Sequence, residues 1–381
     1  MSSPLPSPSL PPGSPPSSPG RVLVAMSGGV DSSLAAALLV ADGHDVVGVT
    51  MKTFCYQETP AHGRTCCGLD GILDARRVAD RLGIPHYVFD VEEDFTRDVI
   101  DNFVSEYAAG RTPNPCVRCN ANTKFRDLLR RGRALGCQAI ATGHYVRIRH
   151  PDEGEPHLLR GLDRGKDQAY FLWGLPPEML SLLRFPVGDL TKESVREHAR
   201  ALELVTADKP ESQEICFVPS GNYREFLTRR LGPEHPALSP GAVVDREGRV
   251  LGEHAGYAGF TPGQRKGLGG GSTVPLFVLE TRPESREVVV GPREALRSEG
   301  IRVEEVHWLT ERPPRPGEEV EVQLRHRARP VSAQVEDGPT SGVHLRFQEP
   351  GGPVSPGQSA VIFTGDRVLG GGPVSGPLHR S

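Results

Sequence analysis

From Arg21 to about Arg149, short β-branched apolar runs alternate with stretches of helical periodicity. Val22-Leu23-Val24 and Val46–Val49 predict strands, and the Ala/Leu-rich stretch Leu34–Ala41 predicts a helix between them. Leu73–Leu82 reads as a helix that stops at Gly83, His86–Val91 as a strand, Phe95–Tyr107 as a helix and Gln138–Thr142 as a further strand. Such alternation specifies an α/β fold, a doubly wound parallel sheet with helices on both faces, whose ligands bind beyond the carboxyl ends of the strands. Ser194–Arg230 looks helical with a break from Lys209-Pro210 to Pro219. Beyond about Gly241 the pattern changes to short alternating runs, Val320–Leu324, Val343–Phe347 and Ala360–Thr364, separated by Gly and Pro. These predict a small β domain of barrel-like form.

At 381 residues the chain exceeds one typical core, so about two or three domains are expected. With 37% hydrophobic and 24% charged residues it has the composition of a globular protein, and no apolar stretch is long enough to span a membrane. Residues 1–20 are almost all Ser, Pro and Gly without a charged side chain. They predict a disordered tail and match neither a signal nor a transit peptide, so a cytoplasmic location without membrane attachment is expected. The net charge of −4 gives no hint of a nucleic-acid partner, but the local charge does. Arg111–Arg133 holds seven basic residues against the single acid Asp127, and Arg325-His326-Arg327-Ala328-Arg329 is a second basic patch. Either could bind phosphates, or simply form a solvated face.

The chemistry concentrates where the first strand ends. Ala25-Met26-Ser27-Gly28-Gly29-Val30-Asp31-Ser32-Ser33 joins that strand to the Ala/Leu helix. Adjacent glycines let backbone N–H groups approach an anion, the serines add hydroxyl donors, and the helix directs its positive dipole end to the same spot. No lysine follows the glycines as in a Walker loop, and the string resembles the pyrophosphate loop of the ATP pyrophosphatases. Gly143-His144-Tyr145 follows a later strand at the same sheet edge.

Of seven cysteines, Cys137 adjoins a predicted strand and reads as core, while Cys55, Cys66 and Cys67 read as structural. Cys116 and Cys119 form C-x-x-C after Thr112-Pro113-Asn114-Pro115, a stiff turn expected to present both thiols from a loop leading into a helix near Asn122. Nearby Arg111 and Arg118 and the helix start would favour thiolate. No second C-x-x-C or H-x-x-x-H completes a zinc site. Cys216, within Glu211–Val218, is the third candidate.

Together S-G-G-V-D-S-S, G-R-T-P-N-P-x-x-x-C-N, A-T-G-H-Y, K-D-Q-A-Y-F-L from Lys166 to Leu172, and I-C-F-V resemble the tRNA-specific 2-thiouridylases, in that family's order and spacing, from Arg21 to the C-terminus. The resemblance implies a fold like that of the adenine nucleotide alpha hydrolases at 21–220, a central domain at 221–285 and a C-terminal β-barrel at 286–381. It implies ATP-dependent replacement of the C2 oxygen of the wobble uridine by sulfur in tRNAs for Lys, Glu and Gln. Carried over residue by residue, Ala25, Met26, Ser27, Gly28, Gly29, Val30, Asp31 and Ser32 would hold ATP with Mg²⁺, with Met51 and Gly143 against the adenosine. Asn114, Pro115 and Cys116 would touch the flipped uridine. His144, Lys166, Asp167, Gln168, Arg325, His326 and Gln358 match tRNA contacts. Cys119 matches the nucleophile and Cys216 the cysteine that takes a persulfide sulfur from an upstream donor or relay protein, the two closing a disulfide as sulfur is released.

One departure stands out. Many members carry Asp where this chain has Cys116, and that Asp is assigned to proton transfer, for which a thiol is a poor stand-in. Either another group moves the proton, or Cys116, Cys119 and Cys216 ligate a four-iron, four-sulfur cluster whose open iron delivers sulfide. The rival readings are a pyrophosphatase-loop ligase that amidates a small substrate, for which no glutaminase signature is present, and a tRNA-binding protein without catalysis, against which Asp31, Cys119 and Cys216 argue.

Overall fold

The computed structural model describes residues 20–53, 69–211, 215–218, 221–268, 275–336 and 342–378. Cys55, Cys66, Cys67 and the N-terminal tail up to residue 19 lie outside them. The chain divides into two compact units, Met1–Asp98 with Arg118–Pro219, and Val99–Val117 with Ser220–Ser381.

The chain opens with β1 (Arg21–Ala25), α1 (Val30–Ala41), β2 (Asp45–Lys52), α2 (Leu69–Leu82), β3 (His86–Asp90) and α3 (Glu92–Phe95). A π-helical turn, Thr96–Ile100, leads to α4 (Asp101–Ala108) in the second unit. The short α5 (Pro115–Arg118) and a π-helical stretch, Cys119–Lys124, return the chain to α6 (Phe125–Ala134) in the first. The first unit continues with β4 (Ala139–Thr142), the antiparallel hairpin of β5 (Val146–Arg149) and β6 (His157–Arg160), then β7 (Leu183–Arg184) and α7 (Lys192–Ala201).

Strands β3-β2-β1-β4-β7 form one sheet, parallel throughout. The runs Val22–Val24 and Val46–Val49 are continuous rather than alternating because both faces are covered. On one face α1, α2 and α7 pack over Val22, Val24, Val46, Ala139 and Ala141. On the other, Gly132 of α6 lets the helix close onto Ile140 and Leu23, where an added Cβ would meet them at 3.0 and 3.2 Å. The expected doubly wound sheet is therefore present. Helix α2 starts four residues before the predicted Leu73 and ends, as predicted, at Gly83, whose φ of +68° stops it.

The second unit holds α8 (Tyr223–Leu231), β8 (Gly241–Val244), β9 (Val250–His254), β10 (Phe277–Arg282) and β11 (Glu287–Gly291). The four strands form a small sheet in the order β10-β11-β8-β9. Helix α4 packs here: Tyr107 stacks on Tyr223 at 4.9 Å, Phe103 meets Phe226 edge-on at 6.0 Å, and the Tyr257 hydroxyl donates to Ala108 O at 2.7 Å. The remaining strands are β12 (Ser298–Val303), β13 (His307–Trp308), β14 (Glu319–Gln323), β15 (Val331–Glu336), β16 (Val343–Gly351), β17 (Ser359–Thr364) and β18 (Arg367–Leu378). The path β12-β16-β15-β14-β17-β18 is antiparallel and closes through β12–β18, giving the expected barrel. Its interior is Ile301, Val322, Ala333, Leu345, Ala360 and Ile362. Closure removes the unpaired edges that an open sheet of this size would expose.

Candidate active site

The turn after β1 is built for an anion. Gly28 takes φ +70° and approaches α2 so closely that a Cβ would lie 2.1 Å from Gly71 O, so only glycine fits. Gly29 is the N-cap of α1 and makes no side-chain cap hydrogen bond to the amides of the first helical turn. The serines also hold the loop itself together. Ser33 is fully buried and donates to Gly29 O at 2.8 Å, while Ser32 Oγ accepts from Ser27 N at 3.1 Å and donates to Gly29 O at 3.2 Å. These hydroxyls brace the loop from within, and of the three only Ser27 is appreciably exposed. Beneath the loop, Met26 is buried and its carbonyl accepts from Thr50 Oγ1 at 2.7 Å.

Two expected adenosine contacts lie at the same edge. Ala25 pairs with Thr142, so the chains leaving β1 and β4 emerge side by side. An added Cβ at Gly143 would sit 2.6 Å from both Asp31 C and Ser32 N, which places the Gly143 turn directly on the first turn of α1. Met51, buried near the end of β2, lies two residues past the level of Ala25.

Around this loop the fold gathers charges that sequence reasoning missed. Lys192 Nζ donates to Asp31 Oδ1 and Oδ2 at 2.7 and 2.9 Å and pairs with Glu211 Oε1 at 2.9 Å. Tyr145 OH donates to Asp31 Oδ1 at 2.7 Å, and burial together with Asp31 pushes the phenol well up, so it stays a donor. Lys166 Nζ reaches the other Glu211 oxygen at 2.7 Å. Burial raises the Glu211 carboxyl, but hydrogen bonds and charge from Lys166 and Lys192 outweigh it and bring it down to about 2. Lys209 Nζ donates to Gly28 O at 2.9 Å and Asp74 Oδ2 at 2.6 Å. Because a trans peptide points its C=O and N–H in opposite directions, this fixes the Gly29 N–H away from Lys209.

The residues matched to tRNA contacts divide by role. The Asp167 carboxylate takes Arg160 at 2.8 Å and the amides of Gly161 and Ala169, and Gln168 exchanges two hydrogen bonds with the Tyr145 backbone. Asp167 thus holds the Lys166–Leu172 loop to the end of β6, and Gln168 holds it to the Gly143–Tyr145 turn. His144 lies between Phe125 and Phe185, its Nδ1 2.6 Å from Thr142 Oγ1. Burial, with Lys124 nearby, keeps its pKa well below the usual histidine value, so the ring is neutral. In the second unit Gln358 Nε2 lies 3.3 Å from the carbonyls of Thr112 and Pro113, tying the barrel to the loop that carries Asn114, Pro115 and Cys116. Arg325 is exposed, its Nη2 3.4 Å from the carbonyls of Pro262 and Pro353, and His326 follows it half-buried.

The cysteine segment corrects an expectation. The helix starts at Pro115, not near Asn122, with Pro at its first position and Asn114 Oδ1 accepting from Val117 N at 3.4 Å. Cys116 and Cys119 therefore sit within helical turns, the first exposed and the second half-buried. Arg111, expected to act on the thiols, is spent on Glu106 at 2.7 Å. Cys119 and the half-buried Cys216 belong to the first unit and share a neighbour: α3 packs on Cys119–Lys124, and Phe217 meets Phe95 of α3 edge-on at 5.8 Å. Among the described residues no three His, Cys, Asp or Glu side chains come together to hold a metal. Cys116 belongs to the second unit, Cys119 and Cys216 to the first. Arg118 at the end of α5 and Arg126, Arg130 and Arg133 on α6 are exposed basic residues of the first unit. Among the described residues no helix is long and apolar enough to cross a membrane.

A family model described as the tRNA methyl transferase HUP domain matches residues 20–220, one described as the tRNA methyl transferase PRC-barrel domain matches 224–292, and one described as the aminomethyltransferase beta-barrel domain matches 298–374. The chain is 49% identical to the tRNA-specific 2-thiouridylase MnmA of Carboxydothermus hydrogenoformans over 93% of this chain and 97% of that protein. It is 48% identical to the protein of the same name from Geobacter metallireducens, covering 92% and 96%, and 45% identical to that from Magnetococcus marinus, covering 93% and 98%. With the first model spanning more than half of the chain and relatives nearly half-identical from end to end, this protein belongs to the tRNA-specific 2-thiouridylase family.

Proposed function

We propose that the protein is a tRNA-uridine 2-sulfurtransferase that thiolates the wobble uridine of tRNAs for Lys, Glu and Gln. The observation that carries the reading is one α/β unit joining a braced phosphate loop, flanked by Lys192 and Lys209, to Cys119 and Cys216, whose segments both meet α3. A small-substrate ligase has no use for those cysteines, and a catalytically dead RNA-binding protein has no use for the loop.

The target base leaves its stack and enters against Asn114, Pro115 and Cys116. Its C2 oxygen attacks the α-phosphorus of ATP, the bond to the bridging oxygen breaks, and pyrophosphate departs with that electron pair while N3 gives its proton to solvent, from which the 2-thiouridine regains it once sulfur is in place. ATP enters as its magnesium complex. The terminal sulfur of a Cys216 persulfide then attacks C2 and expels AMP. The Cys119 thiolate attacks Cys216 Sγ, breaks the sulfur–sulfur bond, leaves the transferred sulfur on C2 and forms the Cys119–Cys216 disulfide. An external thiol reductant restores both thiols, and a persulfide donor, through a relay protein, reloads Cys216. No step passes through an iron-sulfur cluster. The reaction is placed in the cytoplasm, where thiol reductants are available.

Cys216→Ser tests the reading. It abolishes thiolation while leaving ATP and tRNA binding within about twofold, because this side chain carries sulfur and cradles no phosphate. Turnover like that of the wild type would remove the persulfide assignment.

A further inference from the structure

We infer that Lys192 is the phosphate-binding cation of the pyrophosphate loop, acting on the charge that collects on pyrophosphate as it leaves. The inference rests on the ATP-dependent reading above. The loop carries no lysine of its own, and the fold supplies one from 161 residues further along the chain. Lys192 opens α7, its backbone N–H bonded to Asp163 Oδ2 at 3.0 Å, and its side chain is only 11% exposed. Its ammonium therefore stands at a fixed place beside Asp31 on the first turn of α1, where the uncapped amides also converge.

A purely structural role does not account for this. Asp31 already accepts from Tyr145 OH at 2.7 Å, and Glu211 already pairs with Lys166 at 2.7 Å. Each carboxylate keeps a donor when Lys192 turns to a phosphate, so the exchange strands no charge. Without the ammonium, by contrast, Asp31 would face a polyanion across the loop and repel it. In the step itself the Pα–O bond to the β-phosphate breaks, the electron pair passes to the departing oxygen, and Lys192 neutralises it while keeping its own protons.

The test compares single-turnover pyrophosphate release, with tRNA and ATP·Mg²⁺, in wild-type protein and in Lys192→Ala, Lys192→Arg and Lys192→Gln, alongside equilibrium ATP binding. Lys192→Ala is expected to slow release about 100-fold, the cost of one lost transition-state donor. Its ATP affinity should fall by less than about tenfold, Lys192→Arg should keep a measurable part of the rate, and added propylammonium should restore part of it to Lys192→Ala. Should Lys192→Ala fail to fold, Lys192→Gln, which retains donors for both carboxylates without charge, is expected to show the same loss of rate. Release at the wild-type rate in a folded neutral variant would overturn the inference alone, as would a lost rate that neither arginine nor propylammonium recovers. Absence of release from the wild-type protein would overturn the ATP-dependent reading beneath it.

Discussion

Gly143→Ala probes the contact on which the nucleotide site is built. The added Cβ would stand 2.6 Å from Asp31 C and Ser32 N and 2.9 Å from Asp31 O, where ordinary contact begins at 3.4 Å. All three atoms are backbone, so no side chain can swing away, and the Gly143 turn or the start of α1 must move by the better part of an ångström. Overpacking of this kind costs about 1–3 kcal/mol of stability. A displacement near 1 Å at a reacting site costs about 100-fold in rate. The expected result is thus a folded protein, unfolding at modestly lower urea concentration, whose tRNA-dependent AMP formation falls about 100-fold. Gly43→Ala is the control. Gly43 holds φ +82° with nothing within 4 Å of the new methyl, so alanine there costs about 1–2 kcal/mol of backbone strain and leaves AMP formation unchanged. If Gly143→Ala matched the wild type in both stability and AMP formation, the packing of this turn on α1 would not be what shapes the site.

Three further outcomes are expected. Ser33→Ala removes a buried donor from Gly29 O while Ser32 still serves it, so it should cost about 1 kcal/mol in urea unfolding and weaken ATP binding by loosening the loop; unchanged stability would contradict the bracing role. Since the folded pKa of His144 lies below its ordinary value of 6.5, its contribution is complete above that pH and is lost as the pH falls beneath it, when the unfolded chain takes the proton first. An NMR titration should find the His144 ring neutral at pH 6, and a fully protonated ring there would contradict its placement. Cys116→Ala should leave most of the thiolation rate, and iron-free protein purified in air should be colourless and active; brown protein whose visible absorbance vanishes in Cys116→Ala would instead favour cluster chemistry.

Much of this was legible in the chain because the signals are local. The strand, glycine pair and helix from Arg21 to Ala41 announce the phosphate loop within twenty-one residues, and alternation marks the barrel strands near their true ends. The helix start at Pro115 was misplaced because prolines at 113 and 115 read equally well as a turn; Asn114 as cap and Pro115 at the first helical position is the signal that could have found it. The bracing role of Ser32 and Ser33 was not legible, because which way a hydroxyl faces is decided by tertiary packing, and Gly29 O takes both. Lys192, Lys209 and Glu211 were out of reach altogether. Nothing in spacing joins Lys192 to Asp31, and only the parallel sheet with α7 laid against α1 brings them together.

The central claim is tested most directly by mass spectrometry of tRNA nucleosides after incubation with the protein, ATP, Mg²⁺ and a persulfide donor. The account predicts 2-thiouridine at the wobble position of tRNAs for Lys, Glu and Gln, with one AMP formed per sulfur transferred. AMP formation with unmodified uridine, or 2-thiouridine appearing without ATP, would contradict it.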